Sequence, residues 1–187
     1  TQSTLIQKSY FLYVGSAYPH KNLEFLMQGF AAWNTGEYQL VLVGEIDHFY
    51  KRLQKHTSPN VVFFGKATEQ ELRQLYQQAT AFVMPSLYEG FGLPPLEALA
   101  YGTPVISSNA ASLPEILGDA ALFFNPRVPK ELQQTFSKIT KPDTQKLLQQ
   151  KGEEQLKKYS WKKMAQETLT VYEKSAPSLP PHDETPA

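Results

Sequence analysis

The stretch Met84-Pro85-Ser86-Leu87-Tyr88-Glu89-Gly90-Phe91-Gly92-Leu93-Pro94-Pro95-Leu96-Glu97-Ala98-Leu99-Ala100-Tyr101-Gly102-Thr103-Pro104 decides the fold. An apolar run, Ala81–Met84, leads into it, and a second, Val105–Ser107, follows it. Pro94 and Pro95 suit the first turn of a helix, where a missing N–H costs nothing. Gly102 is placed to end that helix in the left-handed C′ position, and Pro104 prevents its continuation. Leu96, Leu99 and Ala100 make its buried face. The stretch is therefore strand, glycine-bearing loop, short helix, tight turn and strand: one crossover between parallel strands.

Working outward, the same kind of apolar run recurs at Tyr10–Val14, Gln39–Val43, Val61–Phe64 and Ala121–Phe124. Each is continuous rather than alternating, the pattern of strands buried on both faces. Helical patterns fill most of the gaps. Leu23, Leu26, Met27 and Phe30 form one apolar stripe, and Leu72, Leu75, Tyr76 and Ala79 form another. Leu113–Leu117 is expected to be only a turn or so of helix. The fold class is α/β, a doubly wound parallel sheet of about six strands flanked by helices.

The last third is rich in Gln, Lys and Glu, with Leu132, Phe136, Ile139, Leu147, Leu148 and Leu156 at near-helical spacing. Trp161, Met164, Ala165, Thr168, Leu169 and Tyr172 define a final amphipathic helix with Ser160 as N-cap. Residues 1–7 read as a linker, 8–174 as one domain with C-terminal helices, and 175–187 as a disordered Pro-rich tail.

A chain of 187 residues with 41% apolar and 19% charged residues can bury a full core. Eighteen basic residues balance eighteen acidic ones, which leaves no electrostatic footprint for nucleic acid. The absence of cysteine removes disulfides, thiolate zinc sites and cysteine nucleophiles. No apolar run is long enough to span a bilayer and no signal peptide is visible. The expected location is cytoplasmic. Thr1 in place of an initiator Met points to a processed chain or an excised piece.

In an open parallel sheet, ligands bind beyond the carboxyl ends of the strands. Two loops there are informative. The loop after the first strand, Gly15-Ser16-Ala17-Tyr18-Pro19-His20-Lys21-Asn22, places Gly15 for a tight turn or a ligand's approach. It puts Lys21 at a helix N-terminus, where a cation opposes the dipole. Such a lysine either serves an anionic ligand or is a solvated surface residue, and this loop alone does not favour the ligand. The second is the deciding stretch itself. Gly90 and Gly92 leave room for backbone approach, and N–H groups ahead of Pro94 are placed to receive phosphate oxygens. Glu89 and Glu97 have no basic residue close in sequence. Taken singly, each also reads blandly: Glu89 as a solvated loop residue, Glu97 as a partner of the helix dipole.

As a complete string, the stretch resembles the retaining, GT-B-type glycosyltransferases of family 4 and relatives. That large group includes sucrose synthase-like, glycogen synthase-like and bacterial mannosyltransferase enzymes. Its signature is two glutamates separated by seven residues, as Glu89 and Glu97 are, usually written E-G-F-G-x-x-x-x-E. Pro85, Ser86, Pro94, Ala98, Ala100 and Gly102-Thr103 are common companions. Tyr13, Val14, Gly15, Pro19, Lys21 and Asn22 match the first-loop motif. Phe63-Phe64-Gly65, Leu113-Pro114-Glu115 and Tyr159-Ser160-Trp161 match further ones. The likeness covers about residues 8–174 and identifies the chain with the C-terminal, donor-binding Rossmann-like half of a GT-B fold.

The resemblance implies roles. Lys21 would bind the donor pyrophosphate and, with Glu89, carry catalysis. Gly15, Gly90 and the amides of Phe91, Gly92 and Leu93 would hold phosphate or sugar. Glu89 would hydrogen-bond the transferred sugar and Glu97 the ribose, while Lys66 and Ala67 would meet the base edge. It implies no cofactor and no metal. The substrate would be a nucleotide diphosphate sugar, GDP-mannose favoured over a UDP-sugar, with a glycan or lipid-linked acceptor in polysaccharide biosynthesis. The acceptor-binding N-terminal domain is missing and would be supplied in cis or by a partner chain, so this chain alone is expected to be inactive. An alternative is a stand-alone nucleotide-sugar-binding or regulatory subunit.

One departure is that the Arg many relatives carry in the first loop is absent, with His20 beside Lys21 instead. Among lesser features, His48 and His56 are too far apart on a helix to share a metal. Tyr18, Tyr88 and Phe91 could wall a nucleotide or sugar. Lys157, Lys158, Lys162 and Lys163 make a basic patch that reads first as a solvated helix face. The alternative is peripheral contact of the full enzyme with anionic lipid at the inner membrane face.

Overall fold

Each of the six apolar runs forms a strand, since a segment apolar on both faces is satisfied between two layers of helices. In the computed structural model, which describes residues 6–175, the strands are β1 (Tyr10–Val14), β2 (Gln39–Val43), β3 (Val61–Gly65), β4 (Ala81–Met84), β5 (Val105–Ser108) and β6 (Ala121–Phe124). All pair in parallel, in the order β3-β2-β1-β4-β5-β6. Between and after them lie α1 (Leu23–Trp33), α2 (His48–Gln54), α3 (Glu69–Gln78), α4 (Leu93–Ala100), α5 (Leu113–Leu117), α6 (Pro129–Ile139), α7 (Pro142–Leu156) and α8 (Trp161–Ser175).

Right-handed crossovers place α1 and α2 on one face of this order and α3, α4 and α5 on the other. Side-chain contacts agree. Arg52 of α2 pairs with Glu24 of α1 at 2.7 Å, and Tyr76 of α3 donates to Glu97 of α4 at 3.0 Å. The later helices complete the layers, α6 packing on α1 and α7 on α4. On the α1 side, Phe11 of β1 meets Phe136 of α6 with ring centroids 4.7 Å apart and Phe30 of α1 at 6.2 Å. All three are inaccessible to solvent, and burying each stabilises the fold by roughly 1.5–3 kcal/mol.

The deciding stretch folds as its prolines and glycine dictate. Gly102 takes φ +73°. Its N–H donates to Leu99 O and that of Thr103 to Ala98 O, each at 2.9 Å, the paired bonds of a Schellman C-terminus. Elsewhere the structure corrects the sequence reading in detail. The near-helical spacing from Leu132 to Leu156 belongs to two helices, because Pro142 has no N–H and starts a new one. Leu148 is buried while Leu147 is 52% exposed, so Leu147 leaves the apolar face expected of it. His48 opens α2, but His56 lies beyond its end. Strands β3 and β5 each run one residue further than expected.

Of the expected linker, Ile6 and Gln7 are described, and Ile6 is buried; the Pro-rich tail beyond Ser175 lies outside the described residues. Contacts divide the chain after Leu156, and the second unit holds α8. Ser160 caps this helix as expected, its Oγ accepting from Lys163 N–H at 3.3 Å. Among the described residues no helix is long and apolar enough to cross a membrane.

Candidate functional site

The strand order reverses direction between β1 and β4. From β1 the chain leaves toward α1 on one face, and from β4 toward α4 on the other, so a crevice opens between the two loops at the carboxyl edge. Both informative loops are these two. Leu87 N–H, on the β4 loop, donates to His20 O on the β1 loop at 2.8 Å, which holds the loops together at the switch point.

Lys21 and Glu89 meet there. Their Nζ and Oε1 atoms are 2.7 Å apart, and the side chains are only 17% and 11% exposed. The basic partner that Glu89 lacks locally comes from 68 residues away. It also explains why Lys21 is tolerated beside a helix N-terminus. Lys21 ends a short 3-10 turn (Pro19–Lys21) just ahead of α1, and the carboxylate offsets the dipole that its charge opposes.

Serines that the sequence reading left without roles organise the carboxylate. Ser86 Oγ, fully buried, donates to the same Glu89 Oε1 at 2.6 Å. Its own carbonyl accepts from Ser108 Oγ on β5 at 2.6 Å. Ser112 Oγ, ahead of α5, lies 3.0 Å from Glu89 O and 3.2 Å from Phe91 O. The loop is therefore tied from beneath and from its far side. Among the described residues Lys21 and Ser86 both bond Oε1 and none is seen to donate to Glu89 Oε2, so this oxygen keeps its accepting capacity.

At the end of this loop Gly92 adopts φ +99° as the N-cap of α4, a conformation costly for residues with a Cβ. A Cβ there would also sit 2.9 Å from Leu113 Cδ2. Pro94 and Pro95 have no N–H, so the Gly92 and Leu93 amides are the donors at this helix start. Leu93 and Phe91 are 43% and 42% exposed, and Gly90 has open space around its Cα.

The β1 loop is braced by two buried tyrosines. Tyr13 Oη donates to Ser16 O at 2.7 Å and Tyr50 Oη to Gly15 O at 2.9 Å. Burial pushes the Tyr13 phenol far above its usual range, with the electrostatics of the neighbouring Tyr50 and Glu89 adding to the effect. Burial does the same to Tyr50, with Asp47 adding. Both stay protonated donors. Sequence reasoning missed Gly44, where a Cβ would run into the Gly15 carbonyl. Gly15 N–H reaches Val43 O at 2.9 Å and Gly44 N–H reaches Gly65 O at 3.0 Å. This continues the sheet's pairing past the strand ends into a side-chain-free ledge. The only sequence signal was a glycine directly after an apolar run.

Not every expected site residue joins the central pair. Glu97 lies on α4 and faces α3, where Tyr76 Oη holds its Oε2. Burial, then the Glu97 charge, raises the Tyr76 phenol well above its usual range. Tyr76 also stacks on Tyr101 at 5.4 Å, so the α3–α4 contact fixes the carboxylate's direction. Lys66 and Ala67 follow β3, two strands from β1, about 10 Å along the sheet at normal strand spacing. The Lys66–Glu45 pair (3.2 Å) is over 70% exposed on both sides and contributes little by itself. Of the aromatic residues, Tyr18 packs on Phe49 and His20, while Tyr88 is 67% exposed. Among the described residues there is no cluster of three or more potential metal ligands.

This arrangement offers a shielded lysine with N–H capacity beyond its one carboxylate bond, an acceptor carboxylate beside it, and helix-start amides on the same loop. It suits an anion joined to a hydroxylated group. The family model for glycosyl transferases group 1 matches residues 2–163. The O-antigen chain mannosyltransferase B of Escherichia coli is 33% identical over 90% of this chain and 46% of its own length. The O-antigen chain mannosyltransferase RfbU of Salmonella typhimurium is 35% identical over 74% of this chain and 41% of its own. Sucrose-phosphate synthase from Thermosynechococcus elongatus superimposes with a TM-score of 0.78 at 27% identity, over 90% of this chain and 45% of the synthase. The chain thus spans a little under half the length of these relatives. With the family model matched over residues 2–163, the chain belongs to the glycosyl transferases group 1 family.

Proposed function

We propose that this chain is the donor-binding half of a retaining glycosyltransferase that moves a hexose, mannose favoured, from a nucleotide diphosphate sugar to a glycan or lipid-linked acceptor. The observation that carries the reading is the shielded Lys21–Glu89 pair at the β1–β4 switch point. An ammonium has three N–H donors, and one is engaged by Glu89. Those remaining would take the diphosphate, whose charge grows as the glycosidic bond breaks, together with the Gly92 and Leu93 amides. Glu89 Oε2 would accept a sugar hydroxyl, so the carboxylate would align the sugar with the phosphate its partner holds. Glu97 would reach the ribose, and the backbone at Lys66 and Ala67 the base. No cofactor and no metal is called for. The mannosyltransferase names of the O-antigen relatives support mannose as the sugar, with GDP-mannose the favoured donor. Transfer needs an acceptor hydroxyl about 3–3.5 Å from the anomeric carbon in a water-excluded cleft. The second half of the enzyme, in cis or as a partner chain, would supply that wall in the cytoplasm, at or near the inner membrane face.

Calorimetric titration with GDP-mannose, UDP-glucose, GDP and UDP, each with and without EDTA, tests this. The expectation is weak binding indifferent to EDTA, GDP-mannose strongest, and at least tenfold weaker in Lys21→Met. No acceptor should be turned over until the other half is added. Binding that needs Mg²⁺ or Mn²⁺, or that ignores Lys21→Met, would overturn the site; turnover by the chain alone would overturn the division of labour.

A further inference from the structure

Lys21 is a long, flexible side chain, yet it is found on one carboxylate oxygen of a loop 68 residues away. Four rotatable bonds do not hold such a geometry alone; the backbone carrying them has to be fixed relative to Glu89. It is fixed on both sides of Lys21. The residue before, His20, accepts the Leu87 N–H. The residue after, Asn22, ties two further loops to this one. Its Nδ2 donates to Pro85 O at 3.2 Å and to Pro126 O at 3.0 Å, joining the loops after β1, β4 and β6.

Asn22 also has an unusual backbone. It is one of two non-glycine residues with positive φ among the described residues, at φ 59° and ψ 34°. Its N–H closes the 3-10 turn on Pro19 O at 3.1 Å, and its carbonyl starts α1 by accepting from Leu26 N–H at 3.2 Å. The position therefore demands two properties together: tolerance of the left-handed region and two N–H donors on a short stem. Glycine has the first without the second. Aspartate has the first and offers only acceptors, against two carbonyl oxygens. Asparagine combines them.

We propose that Asn22 is a positioning residue of the site, whose carboxamide bridges Pro85 and Pro126 and so holds the Lys21 ammonium against Glu89. It touches neither the pair nor any expected ligand atom; it acts through the backbone of Lys21. The inference deepens the donor-site reading and rests on it for its relevance to the reaction, though the bridge itself can be measured without ligand.

The test is a double-mutant cycle of Lys21→Met and Glu89→Gln, followed by urea unfolding of the whole chain, in the native background and again with Asn22→Gly. In the native background the Lys21–Glu89 coupling should amount to about fivefold in the unfolding constant, as a shielded pair would give. With Asn22→Gly it should fall to within about 1.5-fold of unity. A merely structural Asn22 would lower the stability of all four members equally and leave the coupling intact. Asn22→Asp, which keeps shape and φ but reverses the donors, should lose the coupling too. Undiminished coupling in either variant, or none in the native background, overturns the proposal. GDP titration of the same set separates the two readings. Failure of the native chain to bind GDP would count against the donor site, while the unfolding cycle would still decide the role of Asn22. Where GDP binds, Asn22→Gly and Lys21→Met should weaken it non-additively; additive losses would overturn the bridge.

Discussion

Replacing Ser86 by Ala separates the carboxylate's support from its chemistry. The hydroxyl is inaccessible and lies 2.6 Å from Glu89 Oε1, a charge-assisted O–H···O⁻ bond of the strong class. Such bonds contribute about 1.5–3 kcal/mol. Lys21 stays on the same oxygen, so Glu89 keeps one charged partner and the loss belongs near the lower end, about 1.5–2 kcal/mol. At roughly 2–4 °C per kcal/mol for a domain of this size, Tm should drop by about 3–8 °C. The Ser86 carbonyl keeps its bond from Ser108, since the backbone is unchanged. Glu89 should then sample orientations that no longer offer Oε2 to the sugar. GDP-mannose should bind several-fold more weakly, and GDP, held through Lys21 and amides, within about twofold of the native chain. Urea unfolding reads the first effect and parallel calorimetric titrations the second. A Ser86→Ala chain as stable as the native one would refute the energetic argument. A GDP loss equal to the GDP-mannose loss would refute the assignment of Glu89 to the sugar.

Glu97→Ala should weaken GDP and GDP-mannose alike, by about 1.5–3 kcal/mol if a charged hydrogen bond to ribose is lost; an effect confined to GDP-mannose in calorimetry would contradict that role. The Thr68–Glu71 capping box at the start of α3, with Glu71 Oε2 2.8 Å from both Thr68 N and Oγ1, holds the Glu71 carboxyl below its ordinary value. A depressed carboxylate adds stability above its unfolded pKa and loses it as pH falls through the folded one. The Tm gap between the native chain and Glu71→Gln should therefore be present at pH 7 and close in the acid range. A gap that widens on acidification would reverse the sign.

The strands and the ends of α4 were legible in the sequence because each has a local physical cause, while the signature glutamates stood out only through the resemblance to the family. A continuous apolar run of four or five residues belongs between two helical layers, prolines suit a helix start, and glycine takes the left-handed turn at a helix end. Glu89 and Glu97 stand on one loop and helix, so their spacing survives folding unchanged. What they touch was not legible. From its own loop Lys21 reads as a lysine set against a helix dipole, and the resemblance pairs it with Glu89 only by role; the order β3-β2-β1-β4-β5-β6 is what makes its loop the neighbour of Glu89's. Ser112 reads as an ordinary loop residue, and Asn22 only as part of the first-loop motif, with no contact implied. Their contacts to Glu89 O and Pro85 O span 23 and 63 residues, and a side-chain bond to a distant carbonyl leaves no periodicity or composition behind. Gly44 shows the same division. Its place at a strand end follows from the apolar run before it, whereas its need to lack a Cβ follows from the Gly15 carbonyl that the sheet brings against it. Sequence by itself thus determined the elements and the chemistry they could carry. The strand order, through non-local pairing, decided which of those groups meet.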